Sequence, residues 1–552
     1  MKKFATVMAG ALLLTCAAGC GGGGFRRGNE NEYDPTKTYL HIGNYNGGLG
    51  DAWLEEVAEN YMELHDDVKI VINNDKDRFA DATLQAQIDT YGNDVYFVNA
   101  ITYSNFVAKG LAADITDVVT TDIDGEEKTI EEKLNATLRD YYDYDKSESG
   151  KKFYAVPFHD SVFGTVYDVD LFEGLVDGRQ EGDVLYFNTN GKLICDDPSN
   201  TTKSAGPNGQ TGDYDDGLPA TYSQWKTLVD TMDDLSITPY MWTAEYPYYR
   251  YRWLTSIWAD YEGKKDFDIN MSFDGEYTFD GDSEPTEITV ENAYLLQKQQ
   301  GKKYALDYAE YIISNGLYSA NPFATTNTHV EAQKTYLRSV VDTSIQRIGM
   351  IMEGAWWENE AKDYFGTMAS RYGNSYAYGT RRFGFMPTPK SDDGKSDTGT
   401  TLISSTANSA VFIHAKTQVM DLAKDFLKFA HSDESLRTFT RVTGGIRPFD
   451  YELTEDDENK MSYFAKNVWE IYHDEATEIS YVTIYNHDCF VEQSSYLGDN
   501  WWWNTTVGGA QYEDAFKNMW QDSTLNAENW FEGLQVTYSK TAWESKMAKY
   551  FN

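Results

Sequence analysis

The side chains of this 552-residue chain that could do chemistry are mostly amides and aromatic rings. Three short apolar runs (residues 39–43, 68–72 and 95–98) each lead into groups that hydrogen-bond with little charge. Asn44, Tyr45 and Asn46 follow the first run, Asn73, Asn74 and Asp75 the second, and Asn99 the third. Such groups suit a ligand that is polar and neutral. Asn and Asp also make turns and helix caps, so each residue has a structural reading too. The chain holds 41 Tyr, 27 Phe and 14 Trp, 15% of its length, more than core packing alone needs. Rings with a polar edge suit wet binding surfaces.

Catalytic spacings are missing. There is no GxxxxGK(S/T), GxSxG, HExxH or CxxC, and no GxGxxG between a strand and a helix. The eight histidines are scattered, none paired at a helical ligand spacing. Carboxylate pairs of the glycosidase kind carry no local signature and could lie among the 88 acids. No cofactor is expected. Asp213, Asp215 and Asp216 could hold a structural calcium ion through hard oxygens, with Asn208 nearby. A solvated acidic loop is the competing reading.

The 88 acids against 47 bases give a formal charge of −41, which repels phosphate backbones and excludes a nucleic-acid partner. Lys2 and Lys3 precede an apolar run over residues 7–14 and then Ala17, Ala18, Gly19 and Cys20, which reads as an export signal over residues 1–19. Its end resembles a bacterial lipobox, with Ala17 where the usual pattern has Leu, so Cys20 is expected to be cleaved at and acylated. That lipid would be the only membrane attachment. The Gly-rich stretch 20–36 is a tether, and Cys195 and Cys489 are the two remaining cysteines.

Behind the tether the pattern alternates strand, amphipathic helix, strand, with Trp53, Leu54, Val57, Ala58 and Tyr61 on one helix face, which means a parallel α/β sheet. Ligands of open sheets sit beyond the carboxyl ends of the strands, where the amides are. Residues 177–220 and 262–292 break the rhythm and read as insertions or surface hairpins.

Several segments in register resemble the family 1 extracellular solute-binding proteins, the receptors of carbohydrate ABC importers. They are NDVYFVNA (93–100), GLAADIT (110–116), FYAVP (153–157), VYDVDLF (166–172), LPATYSQWKTL (218–228), RIGMIMEGAWW (347–357), FGFMPTPK (383–390) and the helical stretch ending in GGIRP (414–448). The resemblance implies a two-lobed, type II periplasmic-binding-protein-like α/β fold with discontinuous lobes around a central cleft. One lobe would take residues 37–157 plus 404–455 and the other 158–403 plus 456–552. It implies a monomeric, lipid-anchored receptor on the outer face of the bacterial cytoplasmic membrane that captures an oligosaccharide and delivers it to permease subunits, without catalysis. The alternatives are a surface glycan binder without transport and a polysaccharide-degrading surface enzyme.

The maltodextrin-binding member of that family has an Asp-Arg pair where this chain has Ile101 and Thr102, so a maltodextrin site of the usual design is not expected. The same resemblance places Glu245 and Tyr248 of TAEYPYY on ligand, Trp356 on a sugar ring, and one of Trp501, Trp502 and Trp503 on another ring. Trp357 is left to pack or to line a neighbouring subsite. His159 and Asp160, near a lobe crossover, complete the candidate set together with Trp242, Glu353 and Arg447.

Overall fold

The computed structural model describes residues 33–99, 102–144, 150–173, 186–187, 193–194, 205–393, 399–405, 409–483 and 501–548. The expected leader 1–19, Cys20, the tether up to residue 32, Ile101, Cys195 and Cys489 lie outside the described residues.

The first sheet is built from β1 (Thr38–Asn44), β2 (Val68–Asn74) and β3 (Val95–Val98), with helix α1 (Ala52–Leu64) between the first two and α2 (Asp81–Tyr91) between the second and third. The 3.6-residue period of α1 puts Trp53, Leu54, Val57, Ala58 and Tyr61 on one buried face. Such strand–helix–strand units make β1 parallel to both β2 and β3. A larger sheet takes β4 (Val162–Asp168), β5 (Ile237–Met241), β6 (Arg347–Gly354), β7 (Phe383–Met386), β8 (Thr400–Ser404) and, after an excursion back to the first sheet as β9 (Ala410–Ile413), β10 (Thr477–Tyr481). The first sheet runs β9-β3-β1-β2 and the second β10-β8-β4-β6-β5, with β7 also paired to β4. Every residue of β4 is buried, as expected for a strand covered on both faces.

The hydrophobic cores follow the sheets. The first unites residues from Leu40 to Phe158 with residues from Ala410 to Tyr451 and with Tyr481. Two further clusters lie around the second sheet, with members from Val162 to Ile403 and from Phe464 to Met547, together with Ile446. The chain therefore passes between them near residues 158–162 and 404–410, and again between 451 and 464. This is a two-lobed α/β architecture with discontinuous lobes.

One expectation changes. Residues 262–292 form helix Lys264–Ser272 followed by a hairpin, Gly275–Tyr277 with Thr286–Ile288. Phe267, Phe273, Tyr277, Phe279 and Ile288 are buried in the second-lobe core. The hairpin expected from the sequence is present, but the rings of the segment pack inward over helix α3 (Tyr248–Glu262), whose Trp258 packs edge-on to Phe267 at 4.7 Å.

At the end of β4, Asp168 is fully buried and accepts hydrogen bonds from both Arg347 and Arg381. Burial alone would push its carboxyl up, but Arg381 and Arg347 outweigh it and hold the group below the ordinary carboxylate range. Asp168→Asn, which leaves two guanidiniums facing a neutral amide, is expected to destabilise the fold by about 3–5 kcal/mol. Chemical denaturation of the two proteins at neutral pH checks this; an unchanged midpoint would show that the ion triad is dispensable.

Candidate binding site

The first lobe offers the turn from β1 into α1. Tyr45 leaves the end of β1 with its amide donating to the Phe97 carbonyl, and Gly47 and Gly48 follow. The second lobe offers two chain ends. One is the start of α3, where Tyr246 and Tyr248 are each more than a third exposed and Tyr248 and Tyr249 lie 4.6 Å apart. The other is the end of β6, where Glu353 and Gly354 lead into Trp356.

Trp356 joins the two sides. Its half-buried ring packs against core residues of both lobes. Phe163 meets it edge-on at 4.9 Å, and Phe163 in turn contacts Tyr248 at 5.7 Å. On the far side, the Asn359 amide donates to the Gly48 carbonyl at 2.9 Å. Tyr45, Tyr246, Tyr248 and Trp356 are thus rings from both lobes around one junction.

A polar line runs behind these rings. His329 Nδ1 lies 3.2 Å from Glu245 Oε2 and its Nε2 3.9 Å from Glu360. The Gln333 amide donates to Glu360 at 2.8 Å and to Glu353 at 3.1 Å. Burial, then the Glu360 charge, pushes the fully enclosed Glu353 carboxyl well above the ordinary carboxylate range. Burial, with Asp77 of the first lobe and Glu360 of the second, also raises the Tyr45 phenol. The ring can therefore donate a hydrogen bond at any physiological pH. The set can stack on apolar sugar faces and bond to hydroxyls.

The remaining sequence candidates fall into three groups. The amides at the sheet edge bond to one another: Asn44 donates to Asn74, Asn74 to Asp51, and Asn73 to Asn93. Asp75 accepts from the amides of Asp77 and Arg78, as a turn residue does, and pairs with the Arg78 guanidinium. Asn46 shares the Tyr45 turn, its amide on the Asn44 carbonyl.

The second group lies where the chain crosses between lobes. His159 is buried between Asn99 Oδ1 at 2.8 Å and Ser161 Oγ at 3.2 Å, and burial pushes its imidazole down to about 3. Asp160 accepts from Ser404 and Tyr472. Arg447 is enclosed between Phe439 and Phe449, with Nη2 2.7 Å from His431.

The third group is core. Trp357 packs among Tyr336, Phe365, Phe383 and Phe464, and Trp242 among Tyr318, Phe323 and Phe516. Trp501, Trp502 and Trp503 form a turn inside the second-lobe core beside Trp258 and Trp543. Rings enclosed in this way present no face to a sugar in this structure.

Asp213, Asp215 and Asp216 do converge, with one carboxylate oxygen of each within 4.8 Å of the others. Asn208 ties the loop by donating to Asp213 and, through its backbone amide, to Asp215. Burial raises the Asp215 carboxyl to about 8. These hard oxygens are of the kind calcium takes.

Sequence reasoning did not single out Tyr246, His329, Gln333, Asn359, Glu360 or Gly48. Tyr246 had a signal, since it lies in the same aromatic run as Tyr248. Glu360 follows Trp356 by one helical turn. Nothing local marks His329 or Gln333, which reach the site from a helix far along the chain.

Because the fold raises the Glu353 carboxyl above its unfolded value, the folded state binds a proton that the unfolded state releases as pH rises past about 4.5. The buried acid therefore lowers stability progressively above that pH. Glu353→Gln is expected to raise the melting temperature, by a margin that widens from pH 4 to pH 8. A margin that shrinks over that range in thermal melts would contradict the upward shift of this carboxyl.

Comparison with known proteins agrees with this geometry. The family model described as "Bacterial extracellular solute-binding protein" matches residues 46–436, well over half the chain. No curated protein matches. Among solved structures, unliganded RafE from Streptococcus pneumoniae aligns at 13% identity and TM-score 0.53, covering 93% of this chain and 100% of that one. The GacH receptor of Streptomyces glaucescens aligns at 11% identity and TM-score 0.52, covering 93% and 99%. A chitin oligosaccharide binding protein aligns at 13% and 0.52, covering 92% and 99%. At these identities the likeness establishes a shared fold, that of two-domain solute-binding proteins. No helix among the described residues is long and apolar enough to cross a membrane. With the family model matched across both lobes, this chain belongs to the bacterial extracellular solute-binding proteins.

Proposed function

We propose that this protein captures an oligosaccharide between its lobes and hands it, chemically unchanged, to the permease subunits of an ABC importer. A lipid on Cys20 would hold it as a monomer at the outer face of the cytoplasmic membrane. The lobes would be residues 37–157 plus 404–455 and 158–403 plus 456–552.

The observation that carries the reading is the ring set Tyr45, Tyr246, Tyr248 and Trp356, contributed by both lobes to one junction. A micromolar complex needs about −8 kcal/mol. Apolar sugar faces buried on two or three rings, at about 25 cal/mol per Å², supply much of that once closure costs are met. Neighbouring structures support the ligand class: RafE is described in complex with raffinose and GacH with acarbose. Glu245 and His329 at the mouth, and the phenols of Tyr45 and Tyr248, are the hydroxyl-bonding groups of this reading.

A thermal-shift screen against neutral oligosaccharides tests it, since a ligand at 100 times its dissociation constant adds about 2.7 kcal/mol. Tyr248→Ala and Trp356→Ala are expected to weaken the hit by at least about tenfold in calorimetric titration. Their melting temperatures should fall less than that of Trp357→Ala, whose core cavity costs roughly 3–5 kcal/mol. A panel without a hit, or a Trp356→Ala protein that binds normally, would overturn the site; shortened sugar after long incubation would overturn the non-catalytic role.

A further inference from the structure

The indole of Trp356 is held between two glycines, one from each lobe. A Cβ placed on Gly354, in its own strand end, would lie 2.2 Å from the benzo edge of the ring. A Cβ placed on Gly48, in the first-lobe turn, would lie 2.6 Å from Trp356 Cδ1, 3.2 Å from Cγ and 3.4 Å from the Glu360 Cβ. The contacts with the Trp356 ring, at 2.2, 2.6 and 3.2 Å, are closer than carbon atoms pack. Phe163 and Tyr249 stand edge-on to the same ring, at 4.9 and 6.1 Å, so it cannot retreat into the second lobe. The Asn359 amide fixes the approach by donating to the carbonyl of Gly48 itself.

We propose that Gly48 is the closure stop of the receptor: contact of its bare backbone with Trp356 and Asn359 sets how far the lobes come together, and any side chain at position 48 props the cleft open. Gly48 has an ordinary backbone conformation, unlike Gly50 beside it with φ near 69°. The absence of a side chain at 48 therefore answers a need across the lobe gap rather than a need of its own turn. The stop also ties closure to specificity, because the ring that bears on Gly48 is one that the ligand would touch. The inference rests on the reading that ligand is captured between the lobes, and it concerns the ligand-free contact of Gly48 with Trp356 and Asn359 that the structure already shows.

Small-angle scattering of the ligand-free protein tests it without a ligand. Gly48→Ala is expected to have a larger radius of gyration than wild type with little change in melting temperature. Gly48→Ala combined with Trp356→Ala should return to wild-type dimensions. Gly366→Ala, whose added carbon meets nothing within 4 Å, serves as a control and should match wild type. Toward an oligosaccharide, Gly48→Ala should bind about tenfold more weakly if the closed form falls to about one tenth of the population.

A Gly48→Ala protein with the scattering curve of wild type would overturn the proposal, as would expansion that persists when Trp356 is also removed. If no saccharide binds any variant yet the scattering changes as expected, the stop stands and the saccharide reading fails. If wild type and Gly48→Ala bind sugar equally and scatter alike, the stop fails alone.

Discussion

The arrangement of this molecule depends on a joint one indole wide. Trp356 leaves the end of β6, the longest strand of the second sheet, and packs into both lobes. Its position requires Gly354 beneath it and Gly48 against it. Two small residues and one large one place Tyr45 of the first lobe beside Tyr246 and Tyr248 of the second. Without that contact Tyr45 and the rings Tyr246, Tyr248 and Trp356 would belong to separate surfaces.

The chain crossings behind the joint use a different chemistry. His159, Asp160, Ser161, Ser404 and Ser409 are buried where the backbone passes between lobes, and their polar atoms bond to one another, to Asn99 or to Tyr472. Buried polar groups are costly unless paired and specify one geometry when they are. The crossings are thus a fixed polar frame, whereas the Trp356 contact is a surface-to-surface meeting of the two lobes.

Much of the fold was legible. The period of α1, the alternation of strands and helices through residue 98, and the segments from 93 to 448 that resemble the family all describe what the structure contains. The candidate site was legible in part. Tyr45, Tyr248, Glu245 and Trp356 lie at the lobe junction, and Trp357 packs inward beside Trp356, because adjacent residues point apart. Trp242 and the Trp501–Trp503 run are core, since a ring's chemistry is the same whether it faces sugar or another tryptophan and no local pattern separates the two. Asn44, Asn73, Asn74 and Asp75 occupy the strand ends and bond within their own lobe, the turn-and-cap alternative for those residue types. His329 and Gln333 escaped because only tertiary packing brings them to the joint.

The central claim is that one ligand contacts both lobes at once around Trp356. Hydroxyl-radical footprinting of the protein with and without a saturating oligosaccharide tests it most directly, because Tyr and Trp react readily and the candidate rings are partly exposed. The account predicts simultaneous protection of Tyr45 in the first lobe and of Tyr246, Tyr248 and Trp356 in the second, with Trp242 and Trp501–Trp503 unchanged. Protection confined to one lobe, or centred on the Trp501–Trp503 turn, would contradict it.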